Sequence, residues 1–334
     1  MKIFLDEKKG YYKANMHCHT TCSDGKLSPD EIKRIYMENG YSIVAFTDHE
    51  HVIDQSHLTD ENFLALVGCE VAIKEIPTDS TLANQQMKVC HLNFFALNPK
   101  NPITPCYNSV ADHFVTPEAE GRFIPDSEYN RLYTHKGISE MIKKAHDMGY
   151  LVAYNHPSWS LENSLDYLGY SGIDFVEIYN TGCVREGHTD DEHVFEDLLL
   201  SGRRVMCIAG DDNHNKKPIG TPASDSFGGY IMINEEKLDY PSIMKALWQG
   251  KFYVSTGADI LSITKDGDNV HIKTSGARAI HMRTGGRRCQ SAFANDNSPI
   301  TEATFTVRSD DKFFRFKVID ENKNIAYSQA YYLD

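Results

Sequence analysis

The sequence has few of the features that mark membrane or secreted proteins. Of its 334 residues 41% are hydrophobic, yet no run of apolar residues approaches the roughly 18 that a membrane-spanning helix needs. Its first ten residues carry several charges and lack the apolar stretch of a secretory signal. These absences predict a protein that works in the cytoplasm and makes no membrane contact.

Paired cysteines and an excess of positive charge are also missing. The eight cysteines form no Cys-x-x-Cys motif, so we expect free thiols in a reducing compartment. The formal net charge of −13 argues against an extended nucleic-acid surface, because such binding requires basic side chains that neutralise phosphates. The negative net charge does not exclude a small phosphorylated substrate, because charges are screened over about 8 Å at physiological salt and a bound anion responds mainly to the charges close to it. Nothing in the sequence indicates the oligomeric state.

What the chain does contain is a repeated unit between residues 14 and 255: a short apolar strand, a polar or glycine-containing turn, and a helical or irregular stretch. This repeat is typical of βα units and predicts an α/β fold with seven or eight parallel strands in a barrel. Ser28 and Glu31 form a capping-box pattern with Pro29 at the first helical position. Strands are expected at 14–17, 43–46, 64–67, 89–96, 151–154, 175–178, 205–209 and 230–233.

Two regions depart from the repeat. The segment 98–136 is rich in proline and aromatic residues and is too long for an ordinary connection, so we interpret it as an insert that walls or covers a pocket. After residue 256 the hydrophobic period becomes two, with Asp266-Gly267 and Asp310-Asp311 at expected hairpin turns. We therefore predict a barrel domain over 1–256 and a small antiparallel, β-sandwich-like domain over 257–334.

Histidine and acidic residues follow nearly every predicted strand. In a parallel barrel the carboxyl ends of the strands converge on one face, so these side chains are expected to meet. So many polar groups buried in one barrel mouth would be unfavourable unless a cation compensated their charge and lone pairs. Imidazole and carboxylate ligands suit Mn, Fe or Zn. We expect two to three divalent ions, held by six histidines and three carboxylates from these strand ends.

Six short motifs in fixed order resemble those of the PHP (polymerase and histidinol phosphatase) metallohydrolases. They are MHCHTTCSDG at 16–25, TDH at 47–49, GCE at 68–70, CH at 90–91, NHP at 155–157 and GDDNH at 210–214. The likeness spans 14–255, and the β segment after it is similar to that of the CehA/McbA-like branch. The resemblance implies a distorted (β/α)7 PHP barrel, followed by a small antiparallel β domain, with a trinuclear metal centre.

The same resemblance distributes the nine residues over three ions, two of which share Glu70. The implied groups are His17, His19, Glu70 and Asp212 for the first ion, Glu70, His91 and His156 for the second, and Asp24, His49 and His214 for the third. The family pattern Asp-x-His selects Asp212 as the ligand. Replacement of the neighbouring Asp211 by serine is therefore expected to be mild.

Two ions that share a water lower its pKa and turn it into a nucleophile. The first hypothesis is a phosphoesterase that acts on a phosphorylated metabolite or nucleotide, with Glu70, His49 and His214 at the catalytic centre. Whether the two histidines bind metal or protonate the leaving group stays open. One alternative is a metal-dependent amide, carbamate or ester hydrolase, and another is a non-catalytic, metal-stabilised binding module.

Several residues outside the metal set are candidates for binding a substrate. Arg122 and Arg131 of the insert and Arg185 carry guanidinium groups that match phosphate geometry. Asn180 ends the sixth predicted strand and is expected to line the pocket mouth. Glu177 and Tyr179 also end that strand, where they either contact substrate or support other groups. Lys216 and Lys217 follow the last metal motif, and at most one of them is expected to reach the pocket.

Overall fold

The protein is described by a computed structural model that covers residues 1–76, 83–100, 103–295 and 298–333. Residues 101 and 102 of the predicted insert lie outside the described residues. The chain divides into two compact units, one over 14–228 and one that combines 1–13 with 229–334. The metal motifs all lie in the first of these units.

Strands and helices alternate through most of the described chain. The strands are β1 (Lys2–Leu5), β2 (Tyr12–Asn15), β3 (Ile43–Phe46), β4 (Leu64–Lys74), β5 (Val89–Ala96), β6 (Ile103–Thr104), β7 (Ile124–Pro125), β8 (Tyr150–Asn155), β9 (Phe175–Asn180), β10 (Met206–Gly210), β11 (Tyr230–Ile233), β12 (Phe252–Ser255), β13 (Ile260–Asp266), β14 (Asn269–Ala277), β15 (Ala279–Thr284), β16 (Cys289–Phe293), β17 (Ile300–Thr306), β18 (Phe313–Ile319), β19 (Ile325–Ser328) and β20 (Tyr331–Tyr332). The α-helices are α1 (Pro29–Glu38), α2 (His135–Asp147), α3 (Ser164–Tyr167), α4 (Thr181–Arg185), α5 (Glu192–Leu200) and α6 (Tyr240–Trp248). Short 3-10 helices cover Ser56–Leu58, Asn84–Gln86 and Ser109–Phe114.

The sheet of the 14–228 unit has the strand order β10-β9-β8-β5-β4-β3-β2. All residues of β3 and β8 are buried, as expected for strands that are covered on both faces. Helices α2 and α5 pack against β8 and β9. The predicted strands at 43–46, 89–96 and 230–233 are confirmed without change, and the others shift by a few residues at their ends.

The predicted (β/α)7 barrel is not observed as a closed barrel. Strand β5 runs antiparallel to both β4 and β8, whereas the remaining pairs of this sheet that the structure describes are parallel. Hydrophobic periodicity identifies a strand but carries no information about its direction, which the connections decide. No ladder joins β2 to β10 in the described part of the chain; beyond their ends, Cys18 and Asn213 form one isolated parallel bridge. The fold is a mixed α/β structure with a large sheet and few helices.

The other unit is built from antiparallel strands. One sheet has the order β1-β13-β14-β17, and the strands β11-β12-β19-β18-β15-β16 follow one another in the second, with β20 beside β18. Alternate residues of both sheets, such as Ile263, Ile272, Ile280 and Phe316, are buried in one hydrophobic cluster. The predicted turn at Asp266-Gly267 is confirmed, because Asp266 pairs with Asn269 across the hairpin of β13 and β14.

Two predictions for this region differ from the structure. The boundary between residues 256 and 257 is displaced, because β1 pairs with β13 and β12 pairs with β19, so that 1–13 and 229–256 belong to the same unit. The expected hairpin around Asp310-Asp311 is absent: β17 pairs with β14, while β18 pairs with β15, β19 and β20. Alternating residues show that a strand has one buried face, but they do not reveal its partner.

The sequence signal for the start of α1 is confirmed. The Ser28 side chain accepts a hydrogen bond from the Glu31 N–H, and the Glu31 carboxylate accepts one from the Ser28 N–H, so the predicted capping box is formed.

All eight cysteines are free, and seven of them are buried. Among the described residues, the helices are too short or too polar to cross a membrane.

Candidate metal centre

All nine predicted metal ligands come together in the 14–228 unit. They fall into overlapping groups whose candidate ligand atoms lie within 4.8 Å of one another. The groups are His17, His19, Glu70 and Asp212; Glu70, His91 and His156; His19, Asp24, His49 and His214; and His17, His156 and Glu177. Glu70 is shared by two groups as expected, whereas the sharing of His19 was not foreseen. The ligand role of these residues stays a prediction.

The first group contains two fully buried histidines, His17 and His19. The Nε2 atoms of His17 and His19 are 3.2 Å apart, and Asp212 Oδ1 lies 2.9 Å from His19 Nε2 and 3.4 Å from His17 Nε2. Glu70 Oε1 is 3.3 Å from His17 Nε2. Ligand atoms that each lie about 2.1 Å from one ion are separated by about 3.4 Å at tetrahedral angles. The spacing of these four side chains therefore fits a single ion between them.

Glu70 connects the first group to the second. Its Oε1 lies 3.0 Å from His91 Nδ1 and 3.1 Å from His156 Nε2, and it accepts a 2.9 Å hydrogen bond from Asn155 Nδ2. Its Oε2 lies 3.2 Å from His49 Nδ1, at the edge of the third group. A carboxylate between so many imidazole groups can reach two ions at once, which suits the bridging role assigned to Glu70.

The third group lies closer to solvent. Asp24 Oδ1 is 3.1 Å from His214 Nε2 and 3.6 Å from His49 Nε2, and the Asp24 side chain is 35% exposed. The His214 Nδ1–H donates to the Asp212 carbonyl over 3.0 Å, which leaves the Nε2 lone pair facing Asp24. An ion in this group would be more accessible to solvent than one in the first group, whose two histidines are fully buried.

Orphaned lone pairs show that the residues present fit metal ions. Asp24 Oδ1, Asp212 Oδ1 and His19 Nδ1 are buried and make no well-aligned hydrogen bond within the described part of the chain, although imidazole nitrogens lie 3.1 Å from Asp24 Oδ1 and 2.9 Å from Asp212 Oδ1. His17 donates its Nδ1–H to Glu177 Oε1 over 3.0 Å, so in the neutral form its Nε2 lone pair would point at the other atoms of the first group. Buried acceptors that face each other without donors are costly unless a cation compensates them. Divalent ions supply that compensation with the nitrogen and oxygen ligands they prefer.

The electrostatics of the centre favour positive charge. Burial opposes ionisation of Glu70, but nearby His91 and His17 outweigh it and hold the pKa of Glu70 well below its usual range. Burial likewise opposes ionisation of Asp212, whose pKa is held well below normal by His17 and His19. Burial together with the neighbouring His49 and His214 lowers the pKa of His19 to about 3. The set therefore combines ionised carboxylates with one imidazole, His19, that is held neutral. For His17, burial opposes protonation, but Asp212 and Glu70 outweigh it and raise the pKa well above its usual range. Metal binding requires neutral imidazoles, so a bound ion would displace the His17 proton.

The backbone is shaped to bring these groups together. Asn15 at the end of β2 accepts hydrogen bonds from the N–H groups of His17 and Asp211 through the same Oδ1 atom. Gly210 ends β10 where a Cβ atom would lie 2.5 Å from the Cβ of His17, so only glycine permits this approach. His156 and Asp212 adopt positive φ angles of 27° and 51°, which non-glycine residues rarely adopt outside functional sites.

Glu177 was recognised in the sequence only as a residue of the pocket mouth. In the structure it is buried, contacts His17 as described above, and accepts a 3.2 Å hydrogen bond from the His156 N–H. Its position at the end of a strand, like that of the predicted ligands, was the signal for a role in the centre. Asn180 donates to Glu177 Oε2 and Asp212 Oδ2 and caps α4, so its side chain orients other groups.

The predicted guanidinium clamps lie in different surroundings. Arg131 is buried and forms a 2.5 Å ion pair with Glu50, and its Nε donates to the Cys106 carbonyl. Arg122 donates to Gln55 Oε1 over 2.9 Å and approaches the carbonyl of Asp54. These contacts tie the insert to the loop after β3. They engage both terminal nitrogens of Arg122 and the Nε and Nη1 of Arg131, whereas the buried Nη2 of Arg131 has no hydrogen-bond partner among the described residues.

Arg185 and Lys216 are more accessible cations. Arg185 ends α4 and is exposed. Lys216 is also exposed, and its Nζ lies 2.8 Å from Asp24 Oδ2 at the rim of the third group. The structure thus places Lys216 against a residue of the centre, while Arg122 and Arg131 are held by other parts of the protein.

The insert forms one wall of the centre. Its 3-10 helix Ser109–Phe114 brings the Phe114 ring to 4.6 Å from the ring of His49, and Asp112 Oδ1 lies 3.2 Å from His51 Nε2. Thr116 donates to the carbonyl of Thr21, close to the His-x-His motif. These contacts support the prediction that this segment walls the pocket.

Asp211, expected to tolerate serine, is a buried structural acceptor. It receives hydrogen bonds from the hydroxyls of Tyr36 and Thr181 and from the N–H groups of Phe227 and Gly228, at 2.6–3.0 Å. The side chain therefore joins α1, α4 and the segment before β11. Its neighbour Asp212 faces the metal groups, so the choice of Asp212 as the candidate ligand agrees with the geometry.

A second buried carboxylate supports the segment that follows His156. Glu162 accepts hydrogen bonds from the hydroxyls of Tyr133, Tyr154 and Tyr170. Burial outweighs these hydrogen bonds and raises the pKa of Glu162 from its ordinary 4.5 to about 7. The folded state thus binds this proton more tightly than the unfolded state does.

We expect a pH-dependent contribution of Glu162 to stability. Because its pKa is raised on folding, the contribution is fully present below pH 4.5 and is lost as the pH rises through 7. Between pH 5 and pH 8 the wild-type free energy of unfolding should fall by about 2 to 3 kcal/mol more than that of Glu162→Gln. Urea unfolding of both proteins at several pH values measures this difference. Parallel curves for the two proteins would contradict it.

The sequence matches to known proteins are limited in extent. No family model matches the chain. A 5'-3' exoribonuclease from Haemophilus influenzae is 30% identical over 90 residues, which are 26% of this chain and span only 31% of that protein. The assignment of a function therefore depends on the geometry of the centre itself.

One similar solved structure is a two-domain protein from Bacteroides vulgatus that is described as containing a predicted PHP-like metal-dependent phosphoesterase. It is 15% identical to this chain with a TM-score of 0.44, and the match covers 98% of this chain and 96% of that chain. An amidohydrolase from Chromobacterium violaceum is 15% identical with a TM-score of 0.40, over 60% of this chain and 87% of that one.

Proposed function

We propose that this protein is a metal-dependent hydrolase of the PHP type and that it acts as a phosphoesterase on a small phosphorylated substrate. The observation that carries the proposal is the convergence of nine predicted ligands in overlapping groups that leave buried lone pairs without donors. A non-catalytic module stabilised by one ion would not need three groups joined through Glu70 and His19. Several adjacent ions are the arrangement that many phosphatases and nucleases use.

The charges of the centre favour an anionic substrate. Three divalent ions would bring about six positive charges against the four carboxylates Asp24, Glu70, Glu177 and Asp212. Lys216 adds a further positive charge at the rim. A phosphate dianion would be attracted to this excess, whereas a neutral amide would gain less from it.

Divalent ions in such a centre supply a water of lowered pKa and neutralise charge on the phosphate. In hydrolysis the water oxygen forms a bond to phosphorus, the ester P–O bond breaks, and a proton passes to the leaving alcohol. Glu177 keeps the Nε2 lone pair of His17 available by accepting its Nδ1–H. His214 uses Nδ1–H for a backbone carbonyl, which favours a ligand role over that of a proton donor.

A substrate panel tests the activity. The Mn-loaded protein is assayed with p-nitrophenyl phosphate, bis-p-nitrophenyl phosphate, mononucleotides and a naphthyl carbamate, and its metal content is determined by elemental analysis. We expect two to three equivalents of Mn, Fe or Zn and hydrolysis of a phosphate ester that is lost with a chelator. If only the carbamate were hydrolysed, the proposed activity would be that of a carbamate hydrolase and not of a phosphoesterase. Absence of bound metal after reconstitution would overturn both.

Lys216 is the cation that we expect to bind the phosphate. Lys216→Met should raise KM for a phosphate monoester about 10- to 100-fold, because a hydrogen bond to a charged group contributes about 1.5–3 kcal/mol. Metal content should not fall, since the ammonium group only contacts Asp24 from outside the group. The control is Lys217→Met, which removes an adjacent exposed lysine. Equal KM values for the two variants would exclude this role.

A further inference from the structure

Two aromatic rings border the solvent side of the centre. The ring of Phe114 lies 4.6 Å from that of His49, and the ring of Trp159 lies 5.5 Å from that of His91 and 5.1 Å from that of His156. The His49 and His91 rings are 6.3 Å apart. Their side chains are 14% and 12% exposed, whereas His17 and His19 are fully buried. His49 with Phe114 beside it and His91 with Trp159 beside it therefore border one accessible edge of the centre, next to the more exposed Asp24 and His214.

The two rings reach this edge from independent parts of the chain. Phe114 ends the 3-10 helix of the insert, whereas Trp159 lies in the turn that follows β8 and His156. Neither side chain offers a metal ligand, and both are only partly buried. A partly exposed ring beside a polar metal centre gains further burial when an apolar group of a ligand covers it.

We propose that Phe114 and Trp159 form the subsite for the leaving group, and that the substrate is a phosphate monoester whose leaving group carries a planar ring close to the ester oxygen. This inference rests on the proposed phosphoesterase function. The rings contact the candidate ligands directly, so a ring that packs on them lies near the scissile bond. A flexible aliphatic alcohol would cover less of this surface and would gain no stacking.

Equilibrium binding of two phosphonates to the full-length, Mn-loaded protein tests the subsite. Phenylphosphonate and methylphosphonate share the anionic group and differ in the ring, so calorimetry on both isolates its contribution. We expect phenylphosphonate to bind about 10-fold more tightly to the wild type. Phe114→Ala and Trp159→Ala should each reduce this ratio about 3- to 10-fold while methylphosphonate affinity and Mn content are retained. The exposed Phe293→Ala and Trp248→Ala are matched controls that should leave the ratio unchanged.

Each outcome supports or overturns the subsite. Equal affinities of the wild type for the two phosphonates, or an unchanged ratio in both variants, would overturn it while the phosphoesterase activity stands. If an alanine variant loses Mn, the leucine variant at the same position decides, because it keeps apolar volume and removes the ring. A protein that binds neither phosphonate and hydrolyses no phosphate ester would overturn the proposed function, and the subsite with it.

Discussion

Glu70→Gln is expected to reduce kcat by about 1,000-fold or more, because loss of a residue that merely supports a metal ligand already costs about 10- to 100-fold. The carboxylate touches His17, His91 and His156 through one oxygen and His49 through the other. An amide has one acceptor oxygen and no charge, so it cannot serve two groups in this way. Turnover at saturating Mn, metal content and circular dichroism measure the effect.

The exposed Glu61→Gln is the matched control for this substitution, since it removes the same charge shortly before β4. We expect it to leave turnover and metal content unchanged. The Glu70 variant should keep its secondary structure, because the desolvation that opposes a buried carboxylate is relieved in the neutral amide. Unchanged turnover of Glu70→Gln under metal saturation would show that Glu70 does not bridge ions.

Asp211→Ser is expected to lower the free energy of unfolding by about 4 kcal/mol or more, in contrast to the mild effect inferred from the sequence. The substitution leaves the donors of Thr181, Phe227 and Gly228 without this acceptor, whereas the Tyr36 hydroxyl keeps Asn213 Oδ1 at 2.9 Å, and each buried orphan costs about 1–3 kcal/mol. The melting temperature should fall by about 10 °C for a unit of this size. Thermal and urea unfolding measure both quantities.

The comparison with Asp212→Asn separates stability from metal binding. Asp212 has a buried oxygen that faces His17 and His19 without a donor, so its substitution should lower metal content and turnover more than stability. Asp310→Ser removes an exposed aspartate and is the control for Asp211. If Asp211→Ser melted like the wild type but lost its metal, Asp211 rather than Asp212 would be the metal ligand.

The local features of the sequence predicted much of the fold because they depend on nearby residues. Strands β3, β5 and β11 begin and end where the apolar runs do, and the Ser28 capping box forms within four residues. The direction of β5 and the separation of β17 from β18 could not be predicted in this way. Both depend on partners that are distant along the chain, and alternation alone does not select a partner.

The types and order of the residues were enough to predict a metal centre, because nine histidine and acidic residues stand in short motifs at the ends of predicted strands with an insert next to them. The tertiary structure alone brings the candidate ligand His19 into two groups and Glu177 against His17, through contacts between distant strands. It also decided that Arg131 pairs with Glu50 and that Asp211 supports the fold while Asp212 faces the metal groups. Asp211 and Asp212 have different surroundings although they are the same residue type and are adjacent in the chain. The backbone geometry points their side chains in different directions, and this direction cannot be read from the residue type.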